Sequence, residues 1–179
     1  MIETPRLLLR EWRDEDLEPF SLLNADERVC EFLGKTFTPE ESRAMVERYQ
    51  AHFREHGFGI WAVEVKHGPA FIGYTGLWIQ SFQAHFTPCV EIGWRLSFEQ
   101  WGKGYATEAA KAVLNHAFTR LGIAEIVSFT VPKNGRSRAV MEKIGMKRDL
   151  HGDFDDPELP ANHHLSRNVL YRVRRPASS

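Results

Sequence analysis

The chain has 179 residues, enough for one domain with its own core and short for two. Hydrophobic residues make up 42% and charged residues 26%, a globular balance that excludes disordered and fibrous classes. Lys and Arg total 23 against 24 Asp and Glu, and the resulting net charge of -1 supplies no bulk field for nucleic acid. Cys30 and Cys89 lie far apart and form no CxxC, which excludes a disulfide scaffold and fits a reducing cytoplasm. The opening MIETPRLLLREW sets charge beside a very short apolar run, so it reads as neither signal peptide nor membrane span. No segment approaches the roughly 20 apolar residues of a spanning helix. The expectation is a single cytoplasmic domain over 1–179, monomer or homodimer, with no nucleic-acid or membrane partner.

Leu7 to Leu9, followed by Trp12, read as a first strand. Asp14 offers a cap for a helix through Phe20 and Leu23, which Pro19 should shorten or interrupt. Thr38-Pro39-Glu40-Glu41 combines a Thr cap, Pro at the first helical position and Glu at the third. Met45, Val46, Tyr49 and Phe53 then keep helical spacing until Gly57. Strands follow at Ile60–Val65, Phe71–Ile79 and Val90–Leu96, the first two joined by a turn at Gly68-Pro69. Gly93 inside the last of these predicts a bulge or a close approach by another group. The longest helix runs from Gly104 to Leu121, with an apolar stripe of Ala109, Ala110, Val113, Leu114 and Ala117. A strand at Glu125–Val131, a helix from the Asn134 cap to Gly145, a weak strand after Met146 and a last strand at Asn168–Val173 complete the order. The segment Asp153–His164 reads as irregular and polar. This order predicts a mixed α/β domain on one sheet.

The stretch Trp101-Gly102-Lys103-Gly104-Tyr105-Ala106-Thr107-Glu108 places two glycines between a strand and a long helix. A first helical turn leaves backbone N–H groups unpaired and carries partial positive charge. Glycine lets backbone close on a ligand with no Cβ in the way. That combination suits phosphate or pyrophosphate, although a tight unliganded turn also accounts for the spacing. It is neither a Walker A loop nor a dinucleotide fingerprint.

With TPRLLLRE, the EIGW strand, WGKGYATEA and NGRSRAVMEKIGM, the sequence resembles the GNAT superfamily of N-acetyltransferases over nearly its whole length. It is most similar to the branch that acetylates ribosomal-protein N-termini. The superfamily loop R/Q-x-x-G-x-G/A aligns with Trp101 to Ala106, with Trp in place of Arg or Gln. The resemblance implies a mostly antiparallel sheet flanked by helices and splayed between strands four and five, Val90–Leu96 and Glu125–Val131. It implies acetyl-CoA as co-substrate and no metal. Its pyrophosphate would meet the N–H groups of Trp101, Gly102, Lys103, Gly104, Tyr105, Ala106 and Thr107, and Asn134 would open the helix along the pantetheine arm. Main-chain groups of Trp94 and Leu96 would pair with pantetheine, one of them supporting the oxyanion.

A primary amine, from a protein N-terminus or a small molecule, is implied as acceptor, attacking directly in a ternary complex. Glu91 is the candidate base, and a polar residue on a wet strand face is the other reading. Many relatives carry a Tyr acid where this chain has Met141; Ser137, one turn earlier, is the substitute, with water or a plain helix-end role as alternatives. Trp61, Trp78 and Phe82 either shape the acceptor pocket or fill the core. His52 and His56 are four apart, near metal-ligand spacing, but lack an HExxH motif or an obvious third ligand; His163/His164 with Asp153, Asp155 and Asp156 fit a metal cluster, an acidic loop near the acceptor or a plain solvated loop. Arg172, Arg174 and Arg175 fit strand-edge charges as well as a basic tail. Rival functions are a non-catalytic acyl-CoA sensor and an ATP-binding protein.

Overall fold

The computed structural model describes residues 1–160 and 162–176. Its elements are β1 (Ile2–Glu3), β2 (Leu7–Arg10), α1 (Leu17–Ala25), α2 (Glu27–Cys30), α3 (Pro39–His56), β3 (Ile60–Val65), β4 (Gly73–Gln80) and β5 (Cys89–Leu96). After them come α4 (Tyr105–Thr119), β6 (Glu125–Thr130), α5 (Gly135–Lys143), β7 (Lys147–Arg148), β8 (Phe154–Asp155) and β9 (Arg167–Arg174). The strands form a sheet in the order β1-β2-β3-β4-β5-β6-β9-β7, with β8 beside β9. Every pairing is antiparallel except β5 with β6, the strands expected as four and five. β5 holds β4 through eight consecutive residue pairs but meets β6 only at Glu91–Val127, and the two diverge beyond that point.

The α4 stripe is buried as its periodicity requires: Ala109, Ala110, Val113 and Ala117 lie at 0% exposure. It packs on Leu7, Leu9, Val63, Leu77, Ile92, Leu96 and Ile126, joined by Met141 and Ile144 at α5. On the opposite sheet face, α1 and α3 bury Phe20, Leu23, Met45 and Val46 against Trp12, Ile60, Ala62 and Tyr74. The Thr38 capping box forms as expected: Thr38 Oγ1 accepts the Glu41 N–H at 3.2 Å, and Glu41 Oε2 accepts the Thr38 N–H at 2.8 Å.

Several expectations need correction, the first being that α4 is the longest helix: α3 has 18 residues and α4 has 15. A 3₁₀ turn occupies Asp14–Asp16, and Asp16, not Asp14, stands at the head of α1. Buried Asp16 accepts two bonds from the Arg10 guanidinium at 2.7 and 2.8 Å, an anchor that Asp14 cannot reach. Pro19 does not interrupt α1, because it is the third residue, where the N–H is unpaired in any helix. Gly93 makes no bulge, since the register runs unbroken from Gly73–Leu96 to Gln80–Cys89. Asp153–His164 is not wholly irregular: Phe154, 7% exposed, brings β8 onto β9.

Candidate functional site

The divergence of β5 and β6 leaves peptide groups without a partner strand. Antiparallel pairing uses the main chain of alternate residues on each edge. The Ser97 N–H donates to the Ile72 carbonyl at 2.9 Å, which sets the phase. The peptide groups of Trp94 and Leu96 therefore point away from β4, toward the gap. The Leu96 carbonyl is taken by Trp101 Nε1 at 2.9 Å, and Trp94 offers its N–H and C=O to the opening.

Where β5 ends, the Trp101–Thr107 turn leads into α4. Gly102 and Gly104 hold φ of +74° and +81°, left-handed values that disfavour other side chains, and Gly104 is the cap residue of α4. Among the described residues no acceptor takes the N–H groups from Gly102 to Thr107. A Cβ built on Gly102 meets nothing within 4 Å. Bare N–H donors at a helix start, beside an open surface, fit the diphosphate of a CoA thioester. Trp101 does not replace the missing Arg or Gln as an anion donor. Its indole ties the loop to β5, and its ring lies 4.5 Å beneath the Arg136 guanidinium.

One brace of this loop escapes sequence reasoning. Glu108, in the first turn of α4, accepts from Thr4 Oγ1 at 2.7 Å, the Arg6 N–H at 2.9 Å and Arg6 Nε at 2.6 Å. Burial raises its pKa, but these donors outweigh burial and hold it below the usual carboxylate range. Arg6 Nη1 also donates to the Lys103 carbonyl at 2.9 Å, and its guanidinium covers Tyr105. The only signal in the sequence was the TPR of TPRLLLRE, some hundred residues away. Arg6 both fixes the loop and neutralises the carboxylate nearest to it.

Across the gap, Asn134 caps α5: its Oδ1 accepts the Ser137 N–H at 3.1 Å, and its Nδ2 donates to Thr130 Oγ1 at 3.0 Å. Ser137 is half-buried. Met141 is fully buried among core side chains. The buried Tyr171 hydroxyl is already engaged with Arg138 at 3.2 Å and Glu142 at 3.0 Å, so it does not stand in for the missing tyrosine.

Strand alternation puts Glu91, Gly93 and Arg95 on the sheet face away from α4. Glu91 is half-buried beside Trp78 and accepts one bond from Gln80 Nε2 at 2.5 Å. Desolvation pushes its pKa up to about 7, with Gln80 pulling the other way. An aromatic cluster lies on the neighbouring loop and strand. The 81–88 loop carries Phe82 and Phe86 past β5 to Phe129 of β6, with ring centroids 5.8 and 6.1 Å away, and Phe154 closes the cluster. A Cβ on Gly93 would meet nothing within 4 Å, so no group of the protein approaches it closely and its floor is open.

The aromatics named from sequence divide. Trp61 is core at 2% exposure, while Trp78 and Phe82 are half-buried on the Glu91 face. Trp78 stacks on His52, whose Nδ1 bonds the Phe58 carbonyl at 2.8 Å and whose Nε2 accepts the Ile79 N–H at 3.3 Å. Both His52 nitrogens are thus occupied, and among the described residues no group of three His, Cys, Asp or Glu is placed to hold a metal. Within the acidic loop Asp153 pairs with Arg148 and Asp155 with Arg167. Arg172 and Arg174 pair with Glu125, as strand-edge charges do. Among the described residues no helix is long and apolar enough to cross a membrane.

Residues 6–147 match the acetyltransferase (GNAT) domain family. The chain is 31% identical to the uncharacterized N-acetyltransferase YnaD of Bacillus subtilis over 149 residues, 83% of each protein. It is 28% identical to the FsC-acetyl coenzyme A-N(2)-transacetylase of Aspergillus fumigatus, covering 98% of this chain and 80% of the relative. The crystal structure of a GNAT-family acetyltransferase from Bacillus anthracis superposes with a TM-score of 0.80 at 27% identity, covering 97% of this chain and 98% of that one. A parallel strand pair that opens beside a glycine turn with unclaimed N–H groups, carried on a sequence that this family matches over most of its length, belongs to an acyltransferase using acetyl-CoA: the chain is a member of the GNAT family.

Proposed function

We propose that residues 1–179 act as one cytoplasmic N-acetyltransferase domain that moves the acetyl group to a primary amine by direct attack in a ternary complex. The observation that carries this reading is Glu91. Its carboxyl is half-buried at the point where β5 and β6 part, with a pKa of about 7. A base is most effective when its pKa lies near the working pH. A binding-only protein has no use for a desolvated carboxylate at that place. Both cysteines are free, which supports the cytoplasmic setting.

The N–H groups of residues 102–107 would hold the diphosphate of acetyl-CoA; the Trp101 N–H, expected to join them, is already given to the Phe98 carbonyl at 3.1 Å. Asn134 would position α5 along the pantetheine arm, and Trp94 and Leu96 would align it in the gap. Acetyl-CoA supplies the thioester whose carbonyl carbon takes the new C–N bond as the C–S bond breaks. Glu91 accepts the proton that the amine nitrogen must shed, directly or through a water. The Trp94 N–H, aimed into the gap, is placed to donate to the oxygen on which charge grows. The Ser137 hydroxyl would donate a hydrogen bond to the departing thiolate, which takes its proton from solvent; the Ser137 N–H already donates to Asn134.

The test is an amine screen for acetyl-CoA-dependent thiol release, repeated with Glu91→Gln. The variant should bind acetyl-CoA normally and lose kcat by roughly 10²–10⁴-fold. A wild-type rate at every pH would remove Glu91 from the mechanism. Acetyl-CoA binding with no turnover on any amine would favour the sensor.

A further inference from the structure

The row Glu91, Gly93, Arg95 on β5 faces the row Trp78, Gly76, Tyr74 on β4, pair by pair. The two glycines make the middle of this patch a hollow. At Gly76 it is filled by protein, because a Cβ there would stand 2.2 Å from the Gly59 carbonyl oxygen. At Gly93 a Cβ would meet nothing within 4 Å, so the hollow opens there, two residues beyond the point where β5 and β6 part. Its two ends carry opposite charge, Glu91 at one and Arg95 at the other.

Arg95 is the unusual member. It is half-buried, and among the described residues it forms no salt bridge. Its Nη1 donates to the Asn24 Oδ1 at 2.7 Å, and its guanidinium lies 5.4 Å over Tyr74 and 5.5 Å over Phe37. A neutral amide and two ring faces hold the side chain in place and leave its charge uncompensated. A polyamine or aminoglycoside brings several cations and would find one carboxylate and one opposing cation. A molecule with one amine and one carboxylate matches the two ends.

Building on the acetyltransferase reading, we infer that the acceptor is a free α-amino acid with an apolar side chain, its carboxylate held by Arg95 and its amine presented to Glu91 over Gly93. Four strand steps of about 3.3 Å put the Glu91 and Arg95 Cα atoms roughly 13 Å apart. The Arg95 guanidinium is held over Tyr74 and the Glu91 carboxyl beside Gln80, so an acceptor that meets both lies across the open floor at Gly93. Tyr74, Trp78 and Phe129 supply the apolar walls.

The experiment compares phenylalanine and leucine with their amides and with spermidine, in the wild type and in Arg95→Met. Rates are taken at a pH where the amines are largely neutral, and acetyl-CoA affinity is measured by calorimetry alongside. The acids should exceed their amides by at least tenfold in kcat/KM. Arg95→Met should erase most of that ratio through KM, with unchanged acetyl-CoA affinity. Equal use of acid and amide, a preference for spermidine, no transfer to any acid, or a ratio that survives Arg95→Met would overturn the inference. The acid-to-amide ratio in the wild type needs no variant to fold. If acetyl-CoA binds and another amine is acetylated, this inference falls alone; if acetyl-CoA does not bind, the acetyltransferase reading falls with it.

Discussion

Gln80→Leu separates the electrostatic account of Glu91 from its mere presence. Gln80 Nε2 donates at 2.5 Å to Glu91 Oε2, and no other side chain is found lowering the carboxyl's pKa. Leucine keeps the approximate volume and removes the donor. A hydrogen bond to a charged group contributes about 1.5–3 kcal/mol, and one pH unit corresponds to 1.36 kcal/mol, so the Glu91 pKa should rise by roughly 1–2 units. The sign follows from the charge. The donor stabilises the carboxylate, so its loss favours the protonated acid, and the acidic limb of activity moves to higher pH. With the wild-type group at about 7, about half the molecules carry the base at pH 7. In the variant that fraction falls to about 1–10%, which lowers the rate at pH 7 by roughly 5–50-fold and leaves the rate well above pH 9 nearly intact. The assay is kcat/KM against pH from 5.5 to 10 with one amine, measured by thiol release. Ionisation of the amine affects both proteins alike and cancels in the comparison. Superimposable limbs, or a limb displaced to lower pH, would refute the claim that Glu91 titrates in the profile.

Two further outcomes concern the glycine turn. Gly102→Ala places a methyl on an open surface, so its cost to folding is limited to left-handed strain of about 1–2 kcal/mol. The same methyl faces the space assigned to the diphosphate, and calorimetry should show acetyl-CoA affinity weakened at least tenfold; an unchanged affinity would dissociate the turn from the cofactor. Arg6→Met leaves Glu108 charged beside the loop and releases the Lys103 carbonyl, so the KM for acetyl-CoA should rise several-fold while kcat at saturation stays near wild type. A fall in kcat alone would show that Arg6 does not act on the loop.

Much of this protein was legible without coordinates wherever a signal is local. The Thr38 box and Gly57 bound α3 because caps and left-handed termini are settled within a few residues of chain. The α4 stripe reads directly as the buried face of the helix. The two glycines before α4 specify a turn of bare N–H groups, since φ of +74° and +81° is a property of those residues themselves.

What stayed hidden depends on partners far away in the chain. Asp14 and Asp16 are equivalent as letters, and only the position of Arg10 across the sheet end selects Asp16. Phe154 looks like part of a polar loop until β9 and the Phe82–Phe86–Phe129 cluster give it somewhere to be buried. Arg6 and Glu108 meet across 102 positions.

The sequence by itself therefore determined most of the elements, their order and the glycine turn, because each rests on backbone preference and short-range periodicity, and its motifs carried the family. Tertiary structure alone decided the ionisation of Glu91, the isolated charge of Arg95 and the open floor at Gly93. These depend on which groups are excluded from water and which charges face one another, and only the folded chain brings those groups together.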